Sequence, residues 1–198
     1  MTEHRTGFAQ GAQEQWLRSY YFLRAAFSAV WVAIAFTAGR QSPMLAAVLL
    51  VLYPAWDAAA NFLDAARSGG LGRNRAQAIN VAVSLATTLG VIVALRMSVN
   101  AVLAVFGAWA ILAGLLQLGT AIGRWKRFGA QWAMILSGAQ SAVAGTLFIA
   151  LSRTPVPPST SIAKVAGYAA VGAAYFLVSA IWLLAGDMRR KAARPSIR

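Results

Sequence analysis

Cysteine is absent from this 198-residue chain, so a disulfide framework, thiol chemistry and a thiolate metal site are all excluded. Histidine occurs once, as His4 near the start, which rules out a buried imidazole base or a multi-histidine metal centre. Acidic residues number only five. They form no cluster with histidine that points to catalysis, and no cofactor is implied. Charge of either sign is scarce: 12% of residues are charged, against about 25% in a soluble domain.

What fills the chain instead is apolar, 59% of residues, with a mean hydropathy of +0.61. A soluble fold of this length has too little interior to hide so much apolar surface, so a bilayer is the expected solvent. The net charge of +13 would ordinarily suggest a nucleic-acid partner. Here the cations punctuate apolar runs and form no single patch. Membrane topology accounts for them, and membrane lipids, not nucleic acid, are the expected partner.

A membrane-crossing helix needs roughly 20 mainly apolar residues. Six windows meet that requirement: 20–38, 44–66, 76–95, 99–122, 130–151 and 162–185. The connections between them are too short for a soluble domain. The longest, "SRTPVPPSTS" (152–161), is kept non-helical by its three prolines. "SGGLG" (68–72) lacks the Lys-Ser/Thr pair of a phosphate-binding loop and reads as a turn. The first window resembles a signal-peptide core, but a long segment precedes it and Arg24 lies within its start. It is expected to remain as a span.

The loops alternate in charge. Arg5, Arg18, Arg67, Arg73, Arg75, Arg124, Lys126, Arg127, Arg189, Arg190, Lys191, Arg194 and Arg198 fall on one side, thirteen in all. Arg40, Arg96, Arg153 and Lys164 make four on the other. Short loops rich in Lys and Arg stay in the cytoplasm, so both termini are expected there. Residues 1–19 become a cytoplasmic N-terminal segment, 20–187 a membrane domain, and 188–198 a basic cytoplasmic tail. Trp16, Tyr20, Tyr21 and Trp125 then fall at the cytoplasmic interface, where amphipathic rings settle.

The even-numbered spans echo one another. "YPAWDAAANFLDAAR" (53–67) aligns with "FGAWAILAGLLQLGTAIGR" (106–124), placing Trp56 on Trp109 and Asn61 on Gly114. "GAAYFLVSAIWLLAGDMR" (172–189) follows more loosely, with Tyr175 on Trp109. Among the odd spans, "LATTLGVIVAL" (85–95) matches "SAVAGTLFIAL" (141–151). The expected fold is all-α: a six-transmembrane-helix bundle of three parallel helical-hairpin repeats, about 20–66, 76–122 and 130–185, around an axis along the membrane normal.

Three two-span units with small residues inside each even helix, an aromatic about a turn earlier and a basic exit resemble the HdeD-type acid-resistance membrane proteins. Pro43 after the first span and "RFGAQWAMILSG" (127–138) fit the same pattern. The resemblance covers about residues 20–188. It implies a six-span bacterial inner-membrane protein, non-enzymatic, with a role in acid or envelope stress tolerance. It carries over no catalytic motif.

The polar residues inside the spans are few. Asp57, Asn61 and Asp64 are spaced i, i+4, i+7 and share one helix face. At 1.5 Å per residue, Asp57 lies roughly 15 Å from Arg67, near the bilayer centre. By that count it is level with Thr87, Thr88 and Gln140, which form the candidate intramembrane polar site with Asp57 and Asn61. Asp64 and Arg24 both lie shallow and are the depth-matched ion pair, with Asn80 and Gln117 near Asp64. Two roles are open to Asp57: neutral hydrogen-bonding glue between helices, or a proton-titrating switch. A polar lumen around it would favour a small transporter or channel, and a dry centre a structural protein, alone, as a homo-oligomer or with a membrane-protein partner. A membrane enzyme has the least support in the residues.

Overall fold

The computed structural model describes residues 2–126, 128–154 and 157–192. Arg127, Arg194, Arg198 and the end of the basic tail lie outside the described residues, as do the side chains of His4, Arg5 and Lys191. Six helices form the chain, with no strand among the described residues: α1 (Thr2–Ile34), α2 (Pro43–Arg67), α3 (Arg75–Met97), α4 (Val99–Arg124), α5 (Gln131–Leu151) and α6 (Pro158–Ala192). A π-helical turn, Ala35–Gly39, prolongs α1. All six helices are long and apolar enough to cross a membrane, the makeup of a multi-pass membrane protein.

Helix boundaries follow from local chemistry. At the start of α2 the Ser42 hydroxyl accepts the Leu45 N–H at 3.3 Å, and Pro43 occupies the first turn, where no N–H is needed. Ser98 alone separates α3 from α4 and caps α4 by accepting the Ala101 N–H at 3.1 Å. The turn after α2 uses the left-handed conformations of Gly69 (φ 100°) and Gly70 (φ 88°). The Gly70 N–H thereby returns to the Ala65 carbonyl at 2.8 Å. Asn74 donates across the same turn to the Ser68 and Gly70 carbonyls, both at 2.9 Å.

Both outer helices overrun the spans read from hydropathy. α1 continues back through residues 2–19, and α6 continues through Asp187 to Ala192. They pack side by side, and Arg18 meets Asp187 at 3.1 Å while Arg190 pairs with Glu14. This brings both ends of the described chain to one end of the bundle, here the terminal end.

The closest backbone packing joins α4 to α5, α1 to α6 and α2 to α3, whereas the backbones of α1 and α2 stand further apart and meet through long side chains. Each of these tight pairs thus links the second helix of one expected hairpin to the first helix of the next. Glycine explains the closest of them. A Cβ on Gly114 would lie 2.6 Å from the Gly138 carbonyl oxygen, and one on Gly145 2.5 Å from that of Gly107. Only a missing side chain allows such an approach, and close packing is what holds helices together in lipid. Gly119 and Gly123, the other close glycine pair on α4, meet nothing within 4 Å.

The bundle is inverted relative to a soluble protein. Val30, Leu89, Val143, Leu147 and Trp182 are more than half exposed, a surface that suits lipid. On α2 the inward stripe is Tyr53, Pro54, Asp57, Asn61 and Asp64, while Leu52, Phe62 and Leu63 face out. Two apolar clusters fill the rest of the interior. The larger, in the half away from the termini, contains Trp31, Leu49, Val91, Phe106 and Phe148. The smaller, in the terminal half, contains Leu17, Tyr21, Met134, Phe176 and Leu183.

Candidate functional site

Alongside the smaller cluster, in the terminal half, lies a cavity of about 90 Å³ to which all six helices contribute. It reaches Ala76, Arg124 and Gln131, at the terminal-end tips of α3, α4 and α5, and extends inward to Tyr53, Trp109 and Tyr168. The volume corresponds to roughly six to nine waters at the space one water needs.

At its deeper level Asp57 is the hub. Its carboxylate pairs with Arg24 of α1. It also accepts from the Ser84 hydroxyl of α3 at 2.8 Å and from the Asn61 amide one turn along α2 at 3.0 Å. Trp109 of α4 donates its indole N–H to Ser84 Oγ at 3.0 Å, so three helices meet at one carboxylate and a fourth joins through Ser84. Arg24 also donates to the Tyr20 hydroxyl at 3.0 Å and lies 4.3 Å from the centre of the Phe176 ring. Phe176 of α6 is the residue that the internal alignment sets opposite Asp57.

Nearer the terminal end Asp64 forms a second hub. Arg124 donates to it at 2.9 Å, Gln77 at 3.2 Å and the Trp16 indole at 3.3 Å. Arg67 lies over the Trp16 ring at 4.9 Å, and Gln13 bonds to Ser68 at 3.0 Å. The overrun of α1 is therefore tied to the cavity's rim by its own side chains.

Above Asp57, away from the termini, the interior turns aromatic. Trp109 meets Tyr53, Phe106 and Tyr168 edge-on, and Trp31 packs on Tyr53 while donating to the Leu49 carbonyl at 2.9 Å. The Tyr168 hydroxyl lies 2.6 Å from Ser141 Oγ, which is 2.9 Å from the Ala110 carbonyl.

Several expectations need correcting. Arg24 does not pair with Asp64: its partner is Asp57, and Asp64 takes Arg124. The depth count began at Tyr20, but α1 runs straight through that residue, so Arg24 sits deeper than the count allowed. Arg124, reckoned a loop cation, ends α4 and turns inward. Thr87 and Thr88 belong to no polar site around Asp57, because their hydroxyls bond at 2.8 Å to the carbonyls of Val83 and Ser84 in their own helix. Ser84, one turn earlier, takes the place expected of them. Asn61 does lie beside Asp57, and Gln140, Asn80 and Gln117 line the cavity. Tyr20 and Tyr21 are buried in the bundle and not spread at an interface, while Trp125 is exposed.

Sequence reasoning passed over Trp16, Gln77, Ser84, Trp109 and Arg124 as polar-site residues. Only Arg124 carried a usable signal, a cation directly at a span's end opposite a carboxylate of similar depth. Among the described residues no group of His, Asp and Glu could hold a metal ion. No family model, curated protein or solved structure matches the chain.

Proposed function

We propose that this chain is a small membrane carrier that takes a polar solute into its central cavity from the end bearing both termini. The observation that carries the reading is a cavity with two guanidinium–carboxylate pairs inside a bundle whose outer surface is apolar. Ionisable groups within a membrane domain are expensive and concentrate along solute and ion pathways. A purely structural bundle would be served as well by leucine and alanine. The aromatic layer around Trp109 closes the other side, which suits a carrier better than an open channel. The reading is non-enzymatic, and its support is that each carboxylate of the cavity is engaged by a guanidinium group.

The test is solute entry into vesicles reconstituted with the full chain. At least one small polar solute should enter faster than into protein-free vesicles, and Asp57→Asn should slow it. Equal rates for solutes of every charge, with and without protein, would refute the carrier reading.

The resemblance to HdeD-type proteins adds a second proposal, a bacterial inner-membrane location with a role in acid or envelope stress. Its support is the arrangement of tight pairs α2–α3, α4–α5 and α6–α1 around one centre, as three parallel two-span units would give, and the thirteen-to-four cation split, which favours cytoplasmic termini. A cytoplasmic reporter fused after Arg198 should be active and a periplasmic one silent. A deletion strain should grow poorly at low pH or under envelope stress, and unimpaired growth under both would remove the stress role.

A further inference from the structure

The end opposite the termini holds a second opening, a cleft of about 620 Å³ between the start of α2, the α3–α4 turn and the start of α6. Sites for small organic molecules run roughly 300–1,000 Å³. The walls are mainly apolar: Pro43, Ala46 and Leu50 of α2, Leu95 of α3, Val102 of α4 and Ile162 of α6. From Pro43 to Leu50 the wall runs about 10 Å along α2, at the rise of a helix. Leu50, Val102 and Ile162 are buried members of the larger apolar cluster, so the floor is closed towards the polar cavity. A polar solute finds few partners along such walls, whereas a hydrocarbon chain suits them.

Charge adds the second observation. Arg40 is the only charged residue lining the cleft. It is exposed and directly follows the π-helical turn Ala35–Gly39, a distortion that recurs at functional sites. Among the described residues no carboxylate pairs with it. The chain's five acidic residues, Glu3, Glu14, Asp57, Asp64 and Asp187, belong to the terminal end or to the polar cavity. Arg96, Arg153 and Lys164 are further cations of the end that bears Arg40. That end is therefore cationic throughout. Cations beside a bilayer attract anionic lipid. A zwitterionic head group brings a cation of its own, which this end repels.

We propose that the cleft binds an anionic phospholipid of the adjoining leaflet, with one acyl chain along Leu50 and Val102 and the phosphate against Arg40. The site lies apart from the polar cavity, and the proposal does not depend on the carrier reading.

The test is protection of a single thiol in the cleft. Ala47 lines it and is half-buried, and the chain has no native cysteine. The full chain carrying Ala47→Cys is placed in vesicles of phosphatidylcholine, alone or with a minor share of phosphatidylglycerol or of a trimethylammonium lipid with the same chains. N-ethylmaleimide is the reagent, because it is uncharged and crosses the bilayer, so surface potential and insertion direction do not set its rate. Phosphatidylglycerol should slow labelling roughly fivefold, the change that one cation beside anionic lipid supplies. The cationic lipid should not slow it, and Arg40→Gln should abolish the protection. Met97→Cys, at an exposed position that does not line the cleft, should label at one rate in all three membranes. Ala46→Cys, on the same wall, replaces Ala47→Cys if that variant does not fold. Absence of protection by phosphatidylglycerol, equal protection by the cationic lipid, protection that survives Arg40→Gln, or the same slowing at Met97→Cys would each overturn the proposal.

Discussion

The two halves of this bundle are built on opposite rules. The half away from the termini has an apolar interior of Trp31, Val91, Phe106, Phe148 and Val165, with a cleft of about 620 Å³ at its outer end beside Arg40, Gln41, Ser98 and Ser161. The terminal half puts Arg24, Asp57, Asp64 and Arg124 at its centre and surrounds them with indole, amide and hydroxyl groups. In lipid the apolar half gains little from burying oil against oil and depends on close fit. The polar half is held by directed bonds between unlike charges, and each bond fails badly when one partner is lost. The same six helices run through both halves, so the difference lies in side chains and not in architecture.

The largest expected effect follows from breaking a pair in the polar half. Asp57→Leu strands Arg24 in the interior and should destabilise the protein by about 3–5 kcal/mol, the range for a buried pair broken on one side. Adding Arg24→Leu should restore a large part of that loss. Unfolding of the purified protein in detergent measures both, and strictly additive losses would deny the contact. Next comes the seam that serves both halves. Gly114→Val drives carbon into the Gly138 carbonyl and should cost about 1–3 kcal/mol or more, read as loss of a monodisperse folded species. Smaller again is Phe106→Leu in the apolar half, which keeps an apolar filling and should cost less than about 1.5 kcal/mol in the same unfolding assay. Parity between Phe106→Leu and Asp57→Leu would erase the contrast between the halves. Smallest is the pair Gly119→Ala and Gly123→Ala, whose new methyls meet open space. Stability should stay within about 0.5 kcal/mol, and a larger loss would place a partner helix on that face.

The six helices were legible because hydropathy and loop length alone define them, and the inward turn of Asp57 and Asn61 followed from their i, i+4 spacing. The pairing was not legible. It depended on how far α1 runs before Arg24, and hydropathy cannot register a helix that continues through the polar residues 11–19. An error of one turn also separated Thr87 from Ser84, because depth counted from loop ends is uncertain by about that much. The closeness of α2 to α3 and of α6 to α1, over the looser α1–α2 pair, comes from packing shape and leaves no periodic trace. Trp109 illustrates the limit. The internal alignment set it beside Trp56 and Tyr175 and gave it no polar role, yet its N–H completes the shell of Asp57 through Ser84.

The absence of native cysteine makes the central contrast directly measurable. Ser137 lines the cavity, and Ala166 lies in the apolar half. Ser137→Cys and Ala166→Cys, each the only thiol in its chain, can be exposed to a small charged thiol reagent from either side of a sealed membrane. If one half holds a solute cavity and the other is a dry plug, Ser137→Cys reacts only from the side that carries the termini and Ala166→Cys reacts from neither. Labelling of Ala166→Cys, or a Ser137→Cys that is inert from the terminal side, would contradict the account.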